Sequence, residues 1–227
     1  MFTGFPEETL RFFMDIRFHN NSMFFNENRE RYRQEVAAPF YALIEDLAPT
    51  MLRIDPGMEI RPYKCLARIR RDTRFSKDKS PYRDHLWLLF RRAGEPREMS
   101  LNFWFEYGLN TIGWGMGFWG ENRPAMDAFR RLMAAKPQQV LDIINSCDLP
   151  AHHLAPGGST FKRLPVPDNL PEQLRPWYLA KELFVPKVFV DHAWAYDASL
   201  VDRVRRDYEA LAPIYRLLRG IVDDLQP

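Results

Sequence analysis

Cysteine is scarce in this sequence. Its 227 residues include Cys65 and Cys147 alone, and the two do not form a CxxC pair. Disulfide frameworks and thiolate zinc sites need more cysteines or closer spacing, so neither is expected. Both side chains are predicted to be small buried hydrophobic groups in a protein from a reducing compartment.

Long apolar runs are also missing. No stretch reaches the roughly 20 residues that a membrane-spanning helix needs, and Met1 to Gly4 carries no basic region ahead of an apolar segment. A secretory leader would show that arrangement. We therefore expect a soluble, cytoplasmic protein that does not enter a membrane.

Motifs of several enzyme classes are absent or incomplete. The sequence has no GxSxG and no Walker-type loop, which leaves serine hydrolysis and P-loop chemistry without support. Residues 115–120 match GxGxxG, but their glycines alternate with bulky side chains as in a strand with close backbone contacts. Adjacent His152 and His153 diverge on any regular element, and no acid or cysteine cluster completes a metal site. We expect neither a metal nor a cofactor.

The most distinctive stretch is residues 68–83, RIRRDTRFSKDKSPYR, called the basic loop below. Together with Asp84 it holds seven basic residues and three acids, a formal charge of +4 against +2 for the whole chain. The rest of the chain therefore sums to −2. A local cationic excess among Phe75, Pro81 and Tyr82 is typical of an anion pocket.

The leading hypothesis is that the basic loop binds a small anionic ligand such as a phosphate or nucleotide, and whether it also acts on that ligand is left open. Arginine forks suit phosphate and carboxylate geometry, and lysines add mobile point charges. The predicted ligand contacts are Arg68, Arg70, Arg74, Lys77, Lys79, Tyr82 and Arg83, with Lys162 and Lys181 as weaker members. Asp72 and Asp78 would orient the guanidinium groups, or one would act as a general base.

Two alternatives use the same residues differently. In the first, the chain is a non-enzymatic interaction or scaffold protein, and the basic loop forms a structural ion-pair network with acidic helix faces. In the second, the protein binds nucleic acid, with Phe75, Tyr82 and Trp87 stacking on bases and the cations following the backbone. A net charge of +2 gives nucleic-acid binding little support.

The periodicity predicts an α+β fold as a single domain over residues 1–227. Helical spacing dominates as far as Pro56-Gly57, and alternating or continuous apolar runs then predict short strands at 60–63 and 66–69. Stronger strands are predicted at 85–90 and 101–107, as an antiparallel pair, and another at 183–190, where Pro186 implies a sheet edge or a bulge. Helices follow from Asn122 onward, ending in a long one that Pro213 is expected to interrupt.

The basic loop closely resembles the signature of a widespread microbial family, the domain of unknown function 2461. Asn20-Asn21 followed by Phe24-Phe25 is similar to the family's Asn-Asn and Trp-Phe, with Phe24 in place of the usual tryptophan. Residues 115–119 with Pro124, residues 161–163 and residues 179–181 resemble further family segments. The resemblance covers nearly the whole chain and implies one full-length α+β domain, but no reaction.

Overall fold

The computed structural model describes residues 1–225, which begin with two helices. Helix α1 spans Glu7–Phe18 and helix α2 spans Ser22–Glu27. Two glutamates occupy the first turn of α1, where the helix dipole favours negative charge. Asn21 caps α2, because its side-chain oxygen accepts the Phe24 N–H at 2.9 Å.

A continuous helical segment follows. It comprises α3 (Arg29–Arg31), a π turn (Tyr32–Ala37) and α4 (Ala38–Ile54). One apolar stripe of this segment is fully buried, with Val36, Phe40, Leu43 and Leu47 inaccessible to solvent. Pro39 lies in the first turn of α4, where its missing N–H costs no intrahelical hydrogen bond.

The segment between α4 and the sheet differs from the sequence prediction. The predicted strand at 60–63 is wrong, because a short helix, α5 (Pro62–Cys65), begins with a proline in its first turn. The predicted strand at 66–69 is reduced to one bridge, between Leu66 and Leu88. This segment thus lies beside the first sheet strand without pairing along its length.

The four strands of the antiparallel sheet occur in chain order. They are β1 (His85–Arg91), β2 (Leu101–Gly108), β3 (Ile112–Phe118) and β4 (Phe184–Phe189). The predicted antiparallel pairing of β1 with β2 is confirmed, with Leu88 opposite Phe105. The edge position of β4 is also confirmed, and Pro186 is tolerated there because one side of the strand needs no partner.

The two faces of the sheet differ in composition. Phe103, Phe105 and Tyr107 of β2 are fully buried against the helices. On the opposite, outer face, β3 presents alternate glycines, and a Cβ on Gly115 would overlap the Val185 carbonyl oxygen of β4. The glycines therefore allow β4 to approach closely. The interpretation of GxGxxG as a strand feature is confirmed.

Helices complete the C-terminal half. They are α6 (Arg123–Ala135), α7 (Pro137–Asn145), α8 (Arg175–Leu179) and α9 (Leu200–Leu225), with 3-10 turns at Glu172–Leu174 and Ala193–Tyr196. The expected interruption of α9 at Pro213 is wrong, because the helix continues through it. Buried Leu211, Ile214 and Tyr215 hold both sides of the proline against the core.

The α+β class with helices at both ends is confirmed. One hydrophobic cluster runs from Phe2 to Leu218 and joins the N-terminal helices, the sheet and α9. The single domain over residues 1–227 stays a prediction, and its last two residues lie outside the described part. Within residues 1–225, no helix combines the length and apolarity needed to cross a membrane.

Candidate anion-binding site

The basic loop forms an irregular hairpin beside β1. Its arms approach each other through Arg71 N–H to the Pro81 carbonyl (2.8 Å) and Arg83 N–H to the Ile69 carbonyl (3.0 Å). Just before the loop, the Ala67 N–H donates to the Trp87 carbonyl of β1 at 2.9 Å. These bonds place the two ends of the loop at the free edge of β1.

Tyr82 anchors the loop to the N-terminal helices. Its ring is buried and stacks on Phe25 with 4.4 Å between ring centroids. The Asn20 side chain donates to the Tyr82 carbonyl and accepts the Tyr82 N–H, both at 2.9 Å. The Asn-Asn segment and the basic loop, 62 residues apart in sequence, are therefore one structural unit.

Two ion pairs brace the tip of the loop. Arg74 donates two hydrogen bonds to the Asp72 carboxylate, from Nε to Oδ1 at 3.0 Å and from Nη2 to Oδ2 at 2.7 Å. Arg71 forms an ion pair with Asp78. The Arg74 guanidinium lowers the pKa of Asp72 to about 2, and hydrogen bonds from Ser80, followed by Arg71, hold the pKa of Asp78 below its usual range. Carboxylates that release protons so readily are weak bases at neutral pH, which favours the orienting role.

The remaining loop cations have other surroundings. Lys79 donates to the Thr73 carbonyl at 2.9 Å. Arg68, Arg70 and Lys77 are exposed, and none makes an ion pair within 4.0 Å in the described part of the chain. Open cavities of about 400 and 610 Å³ border the loop, the first lined by Arg68, Arg70 and Arg74 and the second by Arg83.

Residues from outside the loop extend this positive surface across the outer sheet face. The set, called the arginine–tryptophan cluster below, comprises Arg68, Arg83, Trp87, Arg91, Arg97 and Trp119. Arg97 lies 5.2 Å from the Trp87 ring centroid and 3.9 Å from that of Trp119. Arg83 lies 4.7 Å from the Trp87 ring, on which His85 also stacks. The two indoles stack at 6.0 Å.

The cluster concentrates like charge. Burial, followed by the charges of neighbouring arginines, lowers the pKa of both Arg83 and Arg97. The charge of Arg68 lowers the pKa of both Arg83 and Arg97. The charge of Glu98 raises the pKa of Arg97, and it is the one neighbouring charge that does so. No ion pair within 4.0 Å neutralises any of the four arginines among residues 1–225; Arg83 instead donates to the carbonyls of Arg68 and Arg70.

Several donors in the cluster have no acceptor. The indole N–H of Trp87 and the Nε groups of Arg91 and Arg97 are buried without a hydrogen-bond partner in residues 1–225. Trp87 as a whole is 8% exposed. Buried donors are nearly always satisfied, so several unsatisfied donors in one place are unusual.

Lys162 and Lys181 are not brought to this surface. Lys181 lies 5.6 Å from the Phe161 ring, in a segment that bridges through Thr160 to Ala180. Neither lysine lines the two cavities beside the loop. Their proposed part in ligand binding therefore has no geometric support from the described residues.

The cysteines and metal-ligating groups show no comparable cluster. Cys65 and Cys147 are unpaired and buried, as predicted, and burial raises the pKa of Cys65 to about 12. Within residues 1–225, no group of three or more histidine, cysteine, aspartate or glutamate side chains is placed to hold a metal ion.

The sequence prediction missed Arg91, Arg97 and Trp119 as site residues. Arg91 was detectable, because side chains alternate along a strand and Trp87 and Arg91 are four residues apart on β1. Arg97 in the β1–β2 connection and Trp119 after β3 had no such signal. They reach the site only because the antiparallel sheet returns the chain to the same end.

Fold and surface together define an α+β protein with a basic loop and an arginine–tryptophan cluster beside an antiparallel sheet. The chain belongs to the family described as conserved hypothetical protein (DUF2461), whose model matches residues 8–216. The predicted family membership is confirmed, and the basic loop and the whole arginine–tryptophan cluster fall within the matched residues. The comparison with curated proteins found no match to the chain.

Proposed function

We propose that the arginine–tryptophan cluster binds a small anionic ligand, a phosphate group carried on a planar organic group such as a nucleotide. The observation that carries this proposal is the set of four arginines without carboxylate partners around the unpartnered indole N–H of Trp87. Guanidinium forks hold phosphate oxygens in two-pronged geometry.

The charge balance of the cluster supports an anion over a structural network. A structural network would place acids between the cations, as Asp72 and Asp78 do at the loop tip. In the cluster, burial and mutual repulsion instead disfavour the charged forms of Arg83 and Arg97. A bound phosphate would relieve both effects, since it brings negative charge and several acceptors to one place.

The loop residues take graded roles in this proposal. Arg68 and Arg83 contact the anion from the loop side, and the exposed Arg70 and Lys77 contribute through the electric field at the entrance. Arg74 and Lys79 stay in the proposal only through the same electric field and not as direct contacts, because their charged groups already have partners within the loop. The two unpaired buried cysteines support a protein of the cytoplasm.

Nucleic-acid binding is the second candidate, because Phe75 is 95% exposed beside Arg74. An aromatic ring displayed among cations can stack on a base. Against this candidate, the Tyr82 ring is occupied by Phe25. The alternative of a scaffold protein, in which the basic loop is a structural ion-pair network, explains the ion pairs of the loop tip. It does not explain the arginine–tryptophan cluster.

A thermal-shift screen tests the proposal. The ligands are inorganic phosphate, pyrophosphate, AMP, citrate and a short oligonucleotide, and the proteins are wild type, Arg91→Gln, Arg97→Gln and the matched control Arg74→Gln. A ligand at 100 times its Kd adds about 2.7 kcal/mol to folded-state stability. For a chain of this length, that raises Tm by roughly 5–10 °C.

The variants separate the candidates. We expect a phosphate-containing ligand to stabilise wild type and Arg74→Gln, and to stabilise neither cluster variant. Loss of the response in Arg74→Gln alone would move the site to the loop tip. A response only to the oligonucleotide, falling steeply with salt, would favour nucleic acid. If no ligand stabilises the wild-type protein, the proposal fails and the scaffold alternative is favoured.

A further inference from the structure

A third cavity, of about 840 Å³, lies beyond the edge strand β4 at the beginning of α9. Its volume falls within the range of small-molecule sites. His152, Lys187, Trp194, Arg203, Arg206 and Asp207 are among the residues that line it. No residue of the basic loop or of the arginine–tryptophan cluster does so, and the cavity is therefore separate from the site described above.

Asp207 organises one wall of this cavity. It is 3% exposed, and its Oδ2 accepts from the Trp114 indole at 2.7 Å and from Lys187 Nζ at 2.9 Å. Its Oδ1 lies 2.8 Å from Nδ1 of His152. The four residues come from four distant parts of the chain, so the fold, not a local motif, builds the arrangement.

These contacts define the chemistry of His152. An ionised carboxylate only accepts hydrogen bonds, so Nδ1 carries the proton that faces Asp207. In the neutral ring, Nε2 then holds the lone pair, and it has no hydrogen-bond partner among residues 1–225. A carboxylate that orients an imidazole and stabilises its protonated form is the arrangement of a general base. If Asp207 served only to join α9 to β4, its ion pair with Lys187 would be sufficient and its contact with His152 would not be needed.

The charge of the cavity favours an anion. Asp207 is the only acid that lines it within the described residues, and Lys187 already balances that charge. Arg203 rests 4.5 Å from the Trp194 ring, and its buried Nε has no partner in residues 1–225. The Arg206 Nε donates to a backbone carbonyl at 3.3 Å and not to a carboxylate.

We propose that this cavity is a second ligand site, which takes a small anion bearing an aromatic group and places His152 beside it as a hydrogen-bond acceptor. Arg203 and Arg206 hold the anion, and Trp194 and Phe189 contact the aromatic group. His152 Nε2 accepts a hydrogen bond from a hydroxyl group or water next to the ligand, and Asp207 holds the imidazole in the tautomer that can accept it.

The test is an NMR titration of the ¹⁵N-labelled full-length protein that observes the imidazole nitrogens. The probes are phenyl phosphate and benzoate, with inorganic phosphate as the comparator that lacks a ring. We expect His152 in the free protein at neutral pH to carry its proton on Nδ1. Its ring signals should shift saturably with the aromatic anions, which should bind more tightly than inorganic phosphate does.

Variants assign the shift to this cavity. Arg203→Gln should weaken binding of phenyl phosphate about tenfold or more, as expected for loss of a charge-assisted contact. Arg206→Gln provides an independent exposed substitution, and Arg205→Gln, on the same helix but paired with Asp202, is the matched control that should bind like wild type. Arg97→Gln should also bind normally, which separates this site from the arginine–tryptophan cluster.

Three outcomes would overturn the proposal. One is the absence of a saturable shift of the His152 ring with either aromatic anion. Another is a neutral His152 with its proton on Nε2. The last is equal binding by Arg203→Gln, Arg206→Gln and the Arg205→Gln control.

Discussion

The buried carboxylate of Asp207 joins α9 to the sheet, so its charge should contribute strongly to stability. Asp207→Asn keeps the size of the side chain and removes its charge. Lys187, whose side chain is 16% exposed and whose Nζ is 2.9 Å away, then loses its counter-ion. Leaving one member of a buried ion pair without its partner costs about 3–5 kcal/mol. For a chain of this length, the expected decrease in Tm is roughly 6–20 °C.

Equilibrium unfolding in urea at pH 7, followed by far-UV circular dichroism, measures this loss. The double variant Asp207→Asn with Lys187→Met should recover much of it, because no uncompensated charge remains. Glu121→Gln, which removes the partner of the exposed Arg123, should change stability by less than about 1 kcal/mol. The reasoning is refuted if Asp207→Asn costs no more than this surface control, or if the double variant loses the sum of both single variants.

Three further predictions concern other parts of the fold. Hydrogen bonds from Arg61 lower the pKa of Glu59 from 4.5 to about 2, so its contribution to stability is complete above pH 4.5 and is lost as the pH falls toward 2. Acid titrations of unfolding free energy should therefore be flatter for Glu59→Gln than for wild type, and parallel curves would contradict this. Gly115→Ala should lower Tm, because its Cβ would overlap the β4 backbone, whereas Gly220→Ala in α9, with open space around it, should gain up to about 1 kcal/mol; equal effects in calorimetry would contradict the close approach of β4. Asn20→Ala should cost about 1–3 kcal/mol and raise amide hydrogen exchange in residues 70–83, because it removes both anchoring bonds to Tyr82. Unchanged exchange in those residues would show that the Phe25 stack suffices.

Local signals made much of the fold predictable. Asn21 caps a helix by a bond three residues ahead, and Pro186 excludes a central strand, so neither depends on distant contacts. The segment at 60–69 was mispredicted because its apolar pattern fits a strand, whereas Pro62 in a first turn allows a short helix. Pro213 was mispredicted because packing around it outweighs the lost hydrogen bond.

The sites were predictable only where their residues are neighbours in sequence. The basic loop is a continuous stretch, and its charge excess is visible directly. Arg97 and Trp119 come into contact only because the sheet brings their segments together, and no local sequence pattern predicts this contact. Asp207 did have a signal, since it lies between Val204 and Leu211 on the apolar stripe of α9, and an acid on such a stripe is buried only with a partner. That partner, Lys187, comes from β4 and follows only from the fold.

Isothermal titration calorimetry of AMP into wild type, Arg97→Gln and Arg74→Gln tests whether the arginine–tryptophan cluster binds a phosphate-bearing ligand. We expect saturable binding to wild type and Arg74→Gln, and affinity lower by about tenfold or more for Arg97→Gln. Equal affinity for Arg97→Gln, or no binding of AMP, pyrophosphate or inorganic phosphate by wild type, would contradict it.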